Sequence, residues 1–256
     1  LFRSVMDEKA RFAISLLSGH IGGANELAGT LSKLFGAVPV VTTATDVNNL
    51  PAIDLIAAQQ NLMIETPENI KHINMAFLKK EPVAVIDPEN RVLPYLPRGL
   101  LADAHARVSG RHTVFCSYKT DPVSRETLVL RPRVLCVGIG CNRGTPVQVL
   151  KRFLEMQFAA AGLSVSSIDR LATIDLKSDE RGLLDLSEQM KIPLMLYAKE
   201  ALNAVKAIQT PSDTVHRHVG VKSVCEAAAL LAAGHEDLMI TKKKNKDVTI
   251  AVAKIQ

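Results

Sequence analysis

The chain has 256 residues, with 31 Lys and Arg against 26 Asp and Glu for a formal net charge of +5, 47% hydrophobic and 22% charged residues, and a mean hydropathy of +0.13. That balance excludes the apolar-poor composition of a disordered chain and suffices for one large domain or two ordinary ones. No apolar run approaches the roughly 20 residues that cross a bilayer and no leader-like segment opens the chain, so a soluble, cytoplasmic protein without a membrane partner is expected.

In chain order, residues 11–17 read as a strand, residues 18–23 as a glycine-rich turn, and residues 25–35 as a helix closed by Gly36. A β-branched strand over 38–42 runs into Thr42, Thr43, Thr45 and Asp46, and a helix follows over 53–60. Thr66 and Pro67 have the types of an N-cap and first-turn pair for a helix to about Lys80. Residues 83–87 then read as a strand, residues 87–111 as irregular chain, and residues 113–117 as a strand, with the domain boundary between Ser117 and Arg131.

The second half restarts with a strand over 133–139, a turn over 140–145 and a helix opening at Thr145 and Pro146 and capped by Gly162. Ser178 is the expected cap of a helix to Met190, with Lys177, Asp179 and Glu180 as its charged start; a strand over 193–197 and a helix over 198–208 come next. Ser223 and Glu226 match a capping box on an alanine-rich helix ending at Gly234. Strands over 237–241 and 247–253 flank a lysine-rich hairpin tip whose Lys242 to Lys244 read as solvated. The predicted fold is α/β with two domains, residues 1–120 and 131–256, each a mostly parallel sheet flanked by helices and carrying its ligand crevice beyond the carboxyl ends of its strands.

Both glycine-rich turns lie at such ends. In the first, Ser18-Gly19-His20-Ile21-Gly22-Gly23-Ala24-Asn25, backbone N–H groups and a helix dipole favour an anion. His20 there is suited to act as general base or acid, to donate a hydrogen bond to a carboxylate, or only to bond backbone. Thr42, Thr43, Thr45 and Asp46 either orient a polar substrate or water or serve as turn and cap. In the second turn, Gly138 to Pro146, Arg143 offers a planar fork for a carboxylate or phosphate. Cys141 is either a nucleophile with a dipole-lowered pKa or an inert small residue beside a ligand. As a dinucleotide fingerprint the turn is imperfect, with its third glycine one residue late and no clear second strand closed by an acidic residue. Four cysteines without a CxxC pair, and His216 with His218 but no third ligand, give no metal site. Aromatic content of 4% with no Trp argues against a nucleic-acid stacking platform, so no nucleic-acid partner is expected.

The stretches Val5-Met6-Asp7-Glu8, Ile14 through Asn25, and Pro39 through Asp46 closely resemble the central region of the CbiG family of anaerobic cobalamin synthesis. Gly138 through Thr145, Leu171-Ala172-Thr173-Ile174-Asp175-Leu176-Lys177 and Gly220 through Ala228 resemble that family's C-terminal domain. The resemblance implies hydrolytic opening of the ring A lactone of cobalt-precorrin-5A and loss of acetaldehyde to give cobalt-precorrin-5B. It also implies a further segment ahead of Leu1. The partner it implies is a cobalt-corrinoid substrate that brings its own cobalt, with no separate cofactor; a homodimer and transient contacts with neighbouring pathway enzymes are further expectations. With that reading, His20 is the expected catalytic base and Asp46 its alternative. Ser18, Gly19, Gly22, Gly23, Asn25, Thr43, Thr45, Gly140, Cys141, Arg143 and Thr145 are the expected substrate-binding residues. Two other readings stand beside it: a corrinoid carrier or chaperone, resting on the second half's similarity to a stand-alone protein of the aerobic route, and an NAD(P)-binding oxidoreductase, resting on the Gly138 turn.

Overall fold

In the computed structural model, which describes residues 4–16, 23–41, 50–102, 112–211 and 220–255, helices and strands alternate as expected for an α/β protein. The chain opens with β1 (Ser4–Met6), β2 (Phe12–Ser15), α1 (Ala24–Phe35) and β3 (Val38–Val40), and β2 pairs antiparallel with β1 and parallel with β3. Gly36 ends α1 as expected: at φ 67° it is left-handed, and its N–H returns to the Ser32 carbonyl.

A second sheet is built from α2 (Ile53–Gln59), β4 (Leu62–Ile64), α3 (Ile70–Lys79), β5 (Ala84–Ile86), β6 (Thr113–Cys116) and β7 (Leu128–Pro132), with its strands in the order β4-β7-β6-β5. Neither β4 nor β7 is legible in the sequence. β4 is three residues long, and β7 is buried at all five positions yet contains Arg131 and Pro132, so no alternation marks it. The Arg131 guanidinium is satisfied internally, by Glu65 at 2.7 Å and the Ser117 carbonyl at 2.9 Å. Thr66 does not cap the helix after it, which opens through a 3₁₀ turn at Pro67–Asn69. Its hydroxyl instead donates to the Thr127 carbonyl at 3.0 Å and accepts the Val129 N–H at 2.8 Å, fastening the exit of β4 to β7. These ties place Pro122–Pro132 with the first compact unit, Leu1–Ser117.

The second unit, Tyr118–Asp121 with Arg133–Gln256, is built from β8 (Leu135–Cys141), α4 (Val147–Ala160), β9 (Ile168–Ile174), α5 (Arg181–Met190), β10 (Leu194–Tyr197), α6 (Lys199–Ala204), α7 (Val224–Ala233), β11 (Leu238–Lys244) and β12 (Val248–Lys254). Its five-stranded sheet has the order β10-β9-β8-β12-β11, in which β10, β9 and β8 are parallel and the β12-β11 hairpin is antiparallel. Parallel pairing thus holds in the core of the sheet, and an antiparallel ribbon extends it. Strand β9 escapes a periodicity reading because Asp169 and Arg170 interrupt its apolar run where its register slips against β8. The helix expected over 198–208 is only the six residues of α6.

Strand β8 distributes its side chains by size. Leu135, Val137 and Ile139 meet Leu150, Leu154 and Phe158 of α4 and Leu183 and Leu186 of α5 in one core cluster. Cys136 instead joins the alanines of α7 on the other face. At Gly138 the approach is closest: a Cβ there would lie 1.8 Å from the Cys225 carbonyl oxygen and 2.7 Å from the Ala229 nitrogen. Helix α7 therefore rests on the backbone of the sheet, with no side chain between. Gly138→Ala is expected to lower stability by about 3 kcal/mol, because both obstacles are backbone and neither can swing aside; urea unfolding midpoints of the two proteins measure it.

Candidate functional site

The described residues enclose a cavity of about 430 Å³ in the second unit, at the carboxyl ends of β8 and β9. Gly140, Cys141 and Asn142 line it from β8 and its turn, Thr173, Ile174 and Lys177 from β9 and the turn after it. The start of α7 contributes Ser223, Val224 and Cys225, and the hairpin contributes Lys242, Lys244, Lys246 and Thr249. Because β12 runs antiparallel to β8, with Val248 opposite Cys141, the hairpin turn comes to the same edge as the ends of the parallel strands. Four lysines line the cavity against one acidic residue, Asp247.

Its walls are tied by Glu226, whose exposure is 0%. The carboxylate accepts the N–H groups of Gln209 at 3.1 Å, Thr210 at 2.9 Å and Lys242 at 3.1 Å, and the Thr210 hydroxyl at 2.7 Å. Glu226 is thus no member of a capping box: Ser223 makes no side-chain cap bond, and the glutamate reaches outward to a loop and a strand. Lys242 is likewise no solvated tip. It sits in β11 at a register shift between Ile240 and Lys243, which frees its N–H from the ladder, and its ammonium donates to the Thr210 carbonyl. Burial works to raise the Glu226 pKa, but the Thr210 N–H and hydroxyl and the Lys242 N–H outweigh it and hold the carboxyl below its ordinary range.

The Gly138 turn is organised by a second buried carboxylate. Glu180, 3% exposed, accepts the Gly144 N–H at 2.9 Å and the Lys177 ammonium at 3.4 Å. It holds the N-cap position of α5 that the sequence suggested for Ser178. Arg143 pairs with Asp179 and donates to the Leu176 carbonyl at 2.8 Å, and its guanidinium holds the Asp179 carboxyl below its usual value. The Thr145 hydroxyl donates to the Asn142 carbonyl at 2.8 Å, and Pro146 occupies the N-cap position of α4. Asn142, not singled out from sequence, fixes the hairpin turn by donating its N–H to the Asp247 carbonyl at 2.9 Å and its amide to Asp247 Oδ1 at 3.1 Å.

Of the expected site residues, Gly140 and Cys141 line the cavity, whereas Arg143 and Thr145 do not. Burial first of all raises the Cys141 thiol pKa, with Lys177 opposing, the opposite direction from that of an activated nucleophile. Burial also raises Cys225 and pushes Cys136 up to about 12. In the first unit, Gly23 stands at the start of α1 with φ 72°, and the Asn25 side chain accepts the Ser15 hydroxyl at 2.6 Å, fastening the end of β2 to the helix. Ser18, Gly19, His20, Gly22, Thr43, Thr45, Asp46, His216 and His218 lie outside the described residues. Among the described residues no group of three or more His, Cys, Asp or Glu could hold a metal ion, and no helix is long and apolar enough to cross a membrane.

Fold and cavity define an α/β protein with a crevice suited to an anionic small molecule. Family models described as cobalamin synthesis G N-terminal, cobalamin biosynthesis central region and cobalamin synthesis G C-terminus match residues 4–46, 51–132 and 135–253. The Ser18 to Asn25 motif therefore falls in the family's N-terminal model rather than in its central region. The chain is 34% identical to a cobalt-precorrin-5A hydrolase of Priestia megaterium, covering 98% of this chain and 71% of that protein. It is 33% identical to a cobalt-precorrin-5A hydrolase of Salmonella typhimurium, covering 97% of this chain and 74% of that one. The chain is also similar to protein CobE of a Sinorhizobium species, 30% identical over 43% of this chain and 71% of that protein. The chain belongs to the cobalamin synthesis G family, CbiG, of cobalamin biosynthesis.

Replacing Glu226 by Gln places an amide among donors and is expected to cost about 3 kcal/mol at neutral pH. A carboxyl whose folded pKa is lowered contributes stability above the ordinary glutamate value of 4.5, and that contribution is lost as pH falls through the lowered value. The variant should therefore lose less stability on acidification than the parent, as read by thermal unfolding across that range.

Proposed function

We propose that the chain is a cobalt-precorrin-5A hydrolase that opens the ring A lactone and releases acetaldehyde to give cobalt-precorrin-5B. The observation that carries this reading is the match to relatives of that name along 98% and 97% of the chain. The lysine-lined cavity supports it physically, since a corrinoid precursor bears many carboxylates.

Lactone opening adds water across the acyl C–O bond, giving a carboxylate and a free hydroxyl. His20 accepts the proton of the attacking water, with Asp46 as the alternative base, and the N–H groups of Gly22 and Gly23 stabilise the oxyanion. In the second step the new hydroxyl loses its proton and its carbon becomes the carbonyl of acetaldehyde; the adjacent C–C bond breaks, and its electron pair stays on the ring carbon, which is then protonated. Cobalt enters as part of the substrate, and the reading includes no separate cofactor. Arg143, poised on Asp179 at the surface, meets a substrate carboxylate when that ion pair opens.

The glycines of the Gly138 turn weaken the dinucleotide reading. Gly138 serves the contact with α7, and the Gly144 N–H is given to Glu180. A second strand does exist as β9, with Asp175 just after it, but the N–H that a phosphate would use is occupied.

Anaerobic incubation of the protein with cobalt-precorrin-5A, coupled to an acetaldehyde assay, tests the reaction; binding without acetaldehyde would leave the carrier role in its place. His20→Ala is expected to lower turnover ~100-fold, and near-normal turnover would remove His20 as the base. Arg143→Ala should raise KM more than it lowers kcat, as measured by steady-state kinetics.

A further inference from the structure

The five-stranded sheet of the second unit ends in two edges of opposite character. At one of them β11 carries Lys242, Lys243 and Lys244 and slips its register twice against β12, devices that discourage a further strand from pairing. At the other, β10 reads Leu194-Met195-Leu196-Tyr197, with no charge and no proline, and runs beside β9 in unbroken register. Met195 is 36% exposed and Leu196 42%. The Pro193 carbonyl turns inward and accepts the Leu171 N–H at 2.9 Å, so by the alternation of a strand Leu194 and Leu196 turn their own N–H and C=O to the open side. A bare apolar edge of this kind is a template for another strand.

Helix α5 extends the same surface. Leu183 and Leu186 pack with Leu171 of β9 and Leu194 of β10, which sets the helix above these two strands. Gly182 lies against the Thr145 carbonyl at the approach to α4. Leu184, about 200° further around the helix, is therefore on the opposite flank, toward the open edge, where it is 40% exposed. Leu196 projects to the same face of the sheet as Leu194, the face that α5 covers.

We infer that two copies of this chain associate through β10 and α5, the two β10 strands pairing antiparallel about a dyad at Met195 to make one continuous sheet. The surface fits itself at both levels. The dyad sets Leu194 of each copy opposite Leu196 of the other, so every outward N–H and C=O of the pair is met. A strand spacing of about 4.8 Å then brings the two α5 axes to about 10 Å, the packing distance of helices. Counted from the turn at Lys191, Leu184 lies about 10 Å along the helix and Met195 about 13 Å along the strand, so one dyad serves both contacts. Antiparallel helices that meet at Leu184 also place the exposed Arg181 of one copy beside the exposed Glu188 of the other, opposite charges at the rim. No residue of β10 or α5 lines the cavity, and the association does not depend on the proposed reaction.

Sedimentation velocity of the full chain across the micromolar range tests the association. One strand and one helix flank from each copy make a small interface, for which a dissociation constant on the order of micromolar is expected. Leu184→Glu, altered at an exposed helix position, should raise that constant more than tenfold and leave thermal unfolding of the fold unchanged. Met195→Cys should give a disulfide-linked dimer on mild oxidation, because residues opposed in a non-hydrogen-bonded antiparallel pair have Cα atoms about 4.5 Å apart, within disulfide reach. Met239→Cys, exposed on the guarded β11 edge, is the control and should stay unlinked on a non-reducing gel, as should the parent chain. A protein that is monomeric throughout the range overturns the inference. So does a dimer whose affinity Leu184→Glu leaves unchanged, or one in which Met195→Cys links no more than Met239→Cys, since either places the contact on another surface.

Discussion

The second unit is organised around the carboxylate of Glu226, a charged group with no exposed surface that is stable only because four donors converge on it. Those donors belong to the loop before α7 and to β11, so one side chain joins a helix, a loop and a sheet edge. The wall formed by Thr210 and the lysine strand would have no fixed position without it. The irregularity in β11 falls at the same place, since Lys242, which gives its N–H to Glu226, lies at the register shift between Ile240 and Lys243.

A second constraint is the contact between α7 and β8. Gly138 removes the side chain that would separate them, and the alanines of α7 complete an interface of small groups. The opposite face of β8 carries Leu135, Val137 and Ile139 against two amphipathic helices. Large residues on one side and small ones on the other therefore set the helix heights over the sheet. This asymmetry brings the start of α7 down to the level of the strand ends, where the cavity forms.

Much of this is readable from the residues alone wherever a local signal exists. The helix stops at Gly36 and Gly234, strand β8 and the alternation of elements emerge from period and turn chemistry. Structure held by distant partners escapes such a reading. Strands β4 and β9 are short or interrupted by charge, and β7 contains Arg131, buried only because Glu65 and the Ser117 carbonyl meet it. Glu226 and Lys242 are 16 residues apart, and their spacing in sequence suggests a capping box and a hairpin tip, the local roles those residue types most often play. The turn residues Gly140 and Cys141 are found because glycine-rich turns after strands are conspicuous; Thr173, Thr210 and Ser223 are not, since a hydroxyl in a strand or loop carries no pattern.

The hairpin at the cavity's lip is an appendage to the parallel strands: it extends the sheet through one antiparallel pairing of β12 with β8, and its tip at residues 245–247 lies outside every core cluster. Substitutions at Lys244 and Lys246 therefore leave the packed core of the unit untouched while changing the charge that an incoming ligand meets.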